Sequence, residues 1–111
     1  GKAKEPAKEL TYHDLPGLVV NLDDPELTRY VRATITVGVE PEAAGEAAEK
    51  LQQFGPEIHH DLNLYFRDKP MDALRGSANL DRALLEIRER VNKVLPEPYA
   101  KNVLFKSFAI Q

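Results

Sequence analysis

The chain has 111 residues, no cysteine, 42% hydrophobic and 30% charged residues, and a formal net charge of −3. That length suits one domain around a single core, and the lack of cysteine excludes disulfides, thiolate metal sites and a cysteine nucleophile. Charges of both signs are mixed without a basic cluster, which argues against a nucleic-acid partner, and no run approaches the roughly 18 apolar residues of a membrane span.

Gly1 to Glu9 contains only Gly, Lys, Ala, Glu and Pro. Such a stretch buries too little apolar surface to offset its ordering entropy. Residues 1–9 are therefore expected to be a flexible linker and residues 10–111 the folded domain. The chain starts at Gly1 without Met, so a signal or anchor upstream of it stays open.

Leu18 to Leu22, Leu-Val-Val-Asn-Leu, is a short strand stopped by the turn residues Asp23-Asp24-Pro25. From Tyr30 to Val39, odd positions carry Val31, Ala33, Ile35, Val37 and Val39, while even positions carry Tyr30, Arg32, Thr34, Thr36 and Gly38. This period-two alternation predicts a strand with one face on a core. The short connection before it predicts antiparallel pairing.

Pro41 suits the first position of a helix, with Glu42 and Glu46 near the positive end of its dipole. Ala44, Ala47, Ala48, Leu51, Ile58, Leu62 and Tyr65 then trace a helical stripe. Gly55-Pro56 interrupts it, and because the stripe resumes in phase the interruption reads as a kink. Gly76, Ser77 and Asn79 are available to cap the next helix. Leu80, Leu84, Ile87, Val91 and Val94 form its apolar stripe, and Leu95-Pro96 ends it. Its outer face offers the pairs Arg82–Glu86, Glu86–Arg90 and Glu89–Lys93.

The last nine residues, Val103 to Gln111, read as a strand running to the chain end. Val103, Leu104, Phe105, Phe108, Ala109 and Ile110 are apolar. Apolar residues on both faces predict a place inside the sheet, beside the Val31–Val39 strand. On that ground a charge at Phe105 or Phe108 is expected to unfold the domain. The order strand, strand, long kinked helix, helix, strand predicts an α+β fold with helices on an antiparallel sheet.

The search for chemistry is lean. His59 and His60 are adjacent, so on a helix they diverge by about 100° and chelate one ion poorly. His13-Asp14 is distant in sequence and joins them only if folding brings it there. Ser77 and Ser107 are the only serines, and neither lies in a Gly-x-Ser-x-Gly turn. No catalytic, cofactor-binding or metal residues are predicted, and an enzyme is not the expected class. Tyr65-Phe66 is first a core pair; with Arg67 beside it at a rim, Tyr65, Phe66 and Arg67 are also the candidate partner or oligomer contacts.

In order, these blocks resemble the periplasmic domain of the flagellar FliL family. Tyr12 to Leu22 is similar to the family's opening strand, which ends in Val-Asn-Leu. Arg29 to Val37 is similar to its Arg-Tyr-Leu-Lys strand. Pro56-Glu57-Ile58, Ala73-Leu74-Arg75-Gly76, Glu86-Ile87, Val91-Asn92 and Leu95 fit its middle and second helix. The ending resembles Val-Leu-Phe-Thr-Glu-Phe-Val-Ile-Gln, with Val103, Leu104, Phe105, Phe108 and Ile110 as its signature. The resemblance covers Leu10 to Gln111. This chain departs from the family at His59-His60, often Arg-Asp there, at Lys69-Pro70 and at Lys106-Ser107.

The resemblance implies a fold of the stomatin/prohibitin type (SPFH-like), without enzymatic activity or cofactor. It implies the periplasmic domain of a single-pass inner-membrane protein at the flagellar basal body, held by an N-terminal membrane helix through the linker. It further implies a ring-forming homo-oligomer around stator proteins of the MotA/MotB type, supporting torque and motility. The alternative is a binding or adaptor module for a peptide or small ligand, using an exposed edge of the Leu18–Leu22 strand or of the C-terminal strand.

Overall fold

The computed structural model describes residues 9–23 and 25–111. Nearly all of the expected linker, and Asp24 of the expected turn, lie outside them. The described elements are β1 (Thr11–Asp14), β2 (Leu18–Leu22), β3 (Arg29–Val39), α1 (Ala44–Gln53), α2 (Gly55–Arg67), α3 (Ser77–Val94) and β4 (Asn102–Ile110). The fold is α+β, an antiparallel sheet with three helices.

β3 is the centre of the sheet, and its alternation is why. Val31, Ala33, Ile35, Val37 and Val39 are all buried on one face. β3 pairs with β1 through Asp14↔Thr36 and with β2 through Val20↔Val31. It also pairs with β4 through Leu104↔Thr36 and Val31↔Ile110. A strand has two edges, so β1 and β2 share one side of β3 and β4 takes the other. The opening segment expected as one strand is thus two, separated by Leu15-Pro16-Gly17. Pro16 has no N–H to donate, which suits a break in the ladder.

β4 corrects the expectation of an inner strand. Among the described residues its only strand partner is β3, so it lies at the sheet edge. The misreading has a specific cause. The register shifts between Thr34 and Ile35, where Phe105 faces Ile35 but Ser107 faces Thr34. Lys106 is the extra residue of a β-bulge. The bulge resets the alternation, so Val103, Phe105, Phe108 and Ile110 all face the helices. What looks like two apolar faces is one face with a phase change. Phe105 and Phe108 are partly buried against the core, with ring centroids 4.8 Å apart, and Leu104 on the other face is 42% exposed.

The long helix is divided rather than kinked: Phe54 alone separates α1 from α2. Its N–H reaches Lys50 O at 2.9 Å and its carbonyl accepts from Ile58 N–H at 3.0 Å. Pro56 supplies no donor there, as its ring chemistry requires. A 3₁₀ turn, Pro41–Ala43, leads into α1 with Pro41 at its start. The core stripe holds: Ala47, Leu51, Ile58, Leu62 and Tyr65 are buried. α2 lies over β2 and α3 over β4.

α3 begins after Gly76, whose φ of 82° places it where L side chains are strained. No side chain caps it. Asn79 turns back instead, donating to Asp72 O at 3.1 Å and Arg75 O at 2.9 Å. The α3 stripe is centred on Ala83, Ile87 and Val91. Its exit is fixed by Asn92, which donates to Ala100 O and accepts from Ala100 N–H, both at 2.9 Å.

Candidate functional site

Among the described residues, two places on the helix side of the sheet bear on function. The first is the seam between α2 and α3. Tyr65 Oη donates to Glu86 Oε1 at 2.7 Å, and Lys69 Nζ reaches the same oxygen at 3.3 Å. Lys69 Nζ lies 4.9 Å and Arg90 Cζ 5.0 Å from the Tyr65 ring centroid, within cation–π range. Arg90 also donates to Asp61 Oδ1 at 3.3 Å. Glu86 and Arg90 therefore reach across to α2, while Arg82 on α3 also acts on the Glu86 charge, as one of the expected pairs along the helix. The hydrogen bond from Tyr65, then those from Lys69, hold the Glu86 carboxyl below its usual range, while burial followed by Glu86 pushes the Tyr65 phenol up. The chemistry is that of a clamp between helices.

This seam fixes the placement of the candidate contact residues. Tyr65 is 3% and Phe66 0% exposed, their rings meeting edge to face at 5.3 Å. Both hold α2 to the core, and only Arg67 of the three reaches solvent. Of the ending's signature residues, Val103 is buried, Phe105, Phe108 and Ile110 are partly buried, and Leu104 is exposed.

The second place is a groove of about 910 Å³ between β1 and the joint of α1 and α2. Gly55 and Pro56, just after Phe54, line its helix side. Gly55 carries no side chain, and a Cβ there would meet nothing within 4 Å. Leu15, Pro16, Leu51 and Pro56 line an apolar floor, and His13 and His59 stand over it. A smaller recess beside Ile58 and Leu62 deepens the floor toward the core. The volume is that of a ligand-sized cleft.

Folding thus brings His13 and His59 to one cleft. His60 is exposed on α2. His13 pairs with Val37 in the ladder and shares its core-facing side. Asp14 points to the other face, where its carboxylate accepts from Lys106 Nζ at 2.6 Å, and that bond holds its pKa below the usual carboxylate range. Among the described residues no three His, Asp or Glu side chains are placed to hold a metal ion. Ser77 opens α3 and Ser107 lies exposed on β4. No helix of the described residues is long and apolar enough to cross a membrane.

Sequence reasoning missed the groove because β1 is only four residues long and mixed in polarity. One signal was available: Thr11, His13 and Leu15 alternate with Tyr12 and Asp14, and Pro16 closes the run.

Comparison with known proteins covers nearly the whole chain. The model of the family described as flagellar basal body-associated protein FliL matches residues 12–111. The flagellar protein FliL of Aquifex aeolicus (strain VF5) is 31% identical over 110 residues. That alignment covers 99% of this chain and 66% of the relative, so the chain spans just under two thirds of the relative's length. The chain belongs to the FliL family of flagellar basal body-associated proteins.

Proposed function

We propose that this domain is a non-enzymatic scaffold of the flagellar motor that assembles with itself and associates with the stator units to support torque. In this reading residues 1–9 are the linker to a single membrane helix, residues 10–111 form the periplasmic domain, and the fold is a variant of the stomatin/prohibitin type. One observation carries the reading: the family match runs over residues 12–111, nearly the whole chain. The chemistry of the chain is consistent with it. The polar seam joins two helices of the same domain.

Self-assembly of an anchored protein gains from the high local concentration that a membrane imposes. The isolated domain is therefore a monomer in dilute solution while the anchored protein assembles, and light scattering on both separates the two. The functional test is motor torque under rising viscous load in cells that lack the protein. The scaffold reading expects speed to fall most at high load. Unchanged speed at every load contradicts it.

A further inference from the structure

β4 leaves one edge of the sheet open, since among the described residues its only strand partner is β3. The main-chain bonds fix which groups face outward. Tyr30 and Gln111 exchange both of theirs at 2.8 Å. Gln111 and Ala109 therefore turn their backbone groups to β3, while Phe108 and Ile110 turn theirs away. On the other side of the bulge, Leu15 N–H donates to Ile35 O at 2.8 Å. Ile35 thus serves β1 and Thr36 serves β4, so Leu104, opposite Thr36, turns toward β3 and Phe105 turns outward. Val103 shares the phase of Phe105 but is already covered, at 4% exposed. The free run is Phe105 to Ile110.

The bulge sets the spacing of that run. Phe105 faces Ile35 and Phe108 faces Ala33, two positions apart on β3 although three apart on β4. Their outward groups thus keep the ordinary interval of an edge strand, with Ser107, opposite Thr34, midway between them. This interval is self-complementary about a two-fold axis beside Ser107. Edge strands are commonly guarded by a charge or a bulge. Here Lys106, the one charged residue of β4, is drawn to Asp14 on the outer face, and the bulge keeps the outward groups in step. The side chains point the same way. Phe105 and Phe108 face the helices but are only partly buried, so apolar surface lies along the same open edge.

We propose that this edge pairs with the same edge of a second copy of the chain, β4 against β4, antiparallel about that axis. Phe105 of each copy exchanges main-chain bonds with Phe108 of the other. On the helix side the same two rings meet across the axis, which closes the apolar strip. On the outer face each Lys106 stays held by its own Asp14. The contact is short, so it forms at millimolar concentration and leaves the dilute domain monomeric. A two-fold pair uses one patch twice and closes on itself. A ring would need a further surface, so the pair stands whether or not the scaffold reading does.

The test is a concentration series of the ¹⁵N-labelled chain from micromolar to millimolar. The amides of Phe105 and Phe108 should shift with concentration, and those of Leu104 and Ala109, bonded to β3, should shift much less. Two substitutions at Ser107, exposed on the outer face, locate the axis. Ser107→Lys brings further cations to the axis and should weaken pairing roughly threefold or more, since like charges opposite one another are unfavourable. Ser107→Cys sets two thiols face to face in a chain with no other cysteine. Their Cα atoms take the close spacing of a non-hydrogen-bonded pair, which suits a disulfide. Under oxidised glutathione this variant should dimerise covalently roughly tenfold faster than Val19→Cys, exposed on β2. If Ser107→Lys fails to fold, the two cysteine variants carry the comparison. No concentration-dependent shift at Phe105 and Phe108, shifts confined to β1 or β2, undiminished pairing of a folded Ser107→Lys, or equal crosslinking of the cysteine variants each overturn the proposal. Absence of stator adducts alone counts against the scaffold reading and leaves the pair standing.

Discussion

The Tyr65 hydroxyl donates to Glu86 Oε1 at 2.7 Å, from a side chain 3% exposed on α2 to one on the rim of α3. The buried ring fills the core while its polar end reaches a charge that stays in water. Lys69 and Arg90 flank the ring, and Lys69 and Arg82 offset that charge. Tyr65→Phe keeps the packing and removes the bond. It should lower stability by about 1–2 kcal/mol, the worth of a hydrogen bond to a charged partner, read from urea unfolding. Glu86→Gln should cost less, because the amide still accepts.

The same pair sets an acid limit. Glu86 and Asp14 both have folded-state pKa values below their ordinary ones, Glu86 through Tyr65 and Asp14 through Lys106. A carboxyl with a depressed folded pKa contributes stability above its unfolded pKa and loses it as pH falls through the folded one. The ordinary values are 4.5 for Glu86 and 3.8 for Asp14. The melting temperature should hold above that window and fall through and below it. In Glu86→Gln the fall should be shallower, because one of the two contributions is gone.

Phe66 and Leu104 test which aromatic and aliphatic positions hold the fold. Phe66 is 0% exposed between α2 and the core, and Phe66→Ala should cost about 3–5 kcal/mol. Leu104 faces solvent beyond the sheet, so Leu104→Ala should change stability by no more than about 0.5 kcal/mol. Phe108→Ala should fall between them, since its ring is partly buried at the edge strand. Chemical denaturation of the three variants gives the order directly.

Asn92 closes the turn between α3 and β4 with two bonds to one residue. Asn92→Ala leaves the partly buried N–H and carbonyl of Ala100 without that partner. The expected loss is about 1–3 kcal/mol. Hydrogen exchange should show it locally, as faster exchange of the Ala100 amide.

Much of this fold is legible in the sequence because one period governs each long element. The alternation from Val31 to Val39 gives β3 its face, and the stripe through Ala47, Leu51, Ile58 and Leu62 gives α1 and α2 theirs. The failures fall where a single residue changes the phase. Lys106, an extra residue in the ladder, makes an edge strand look like an inner one. Phe54 ends a helix whose stripe continues, so a division reads as a kink. Cross-element partners were also hidden. Glu86 has attractive neighbours along its own helix, and nothing local reveals that Tyr65 lies closer. His13 and His59 are 46 positions apart in the numbering, so their common groove exists only after β1 docks beside the α1–α2 joint.

The scaffold reading is tested most directly by site-specific photo-crosslinking of the anchored protein in swimming cells. Probes belong at exposed positions on different faces: Arg67 on α2, Leu104 on β4 and Val19 on β2. Adducts of the protein with itself and with a stator subunit, each from a restricted set of positions, are the predicted result. Motile cells in which every position yields only the uncrosslinked monomer would contradict it.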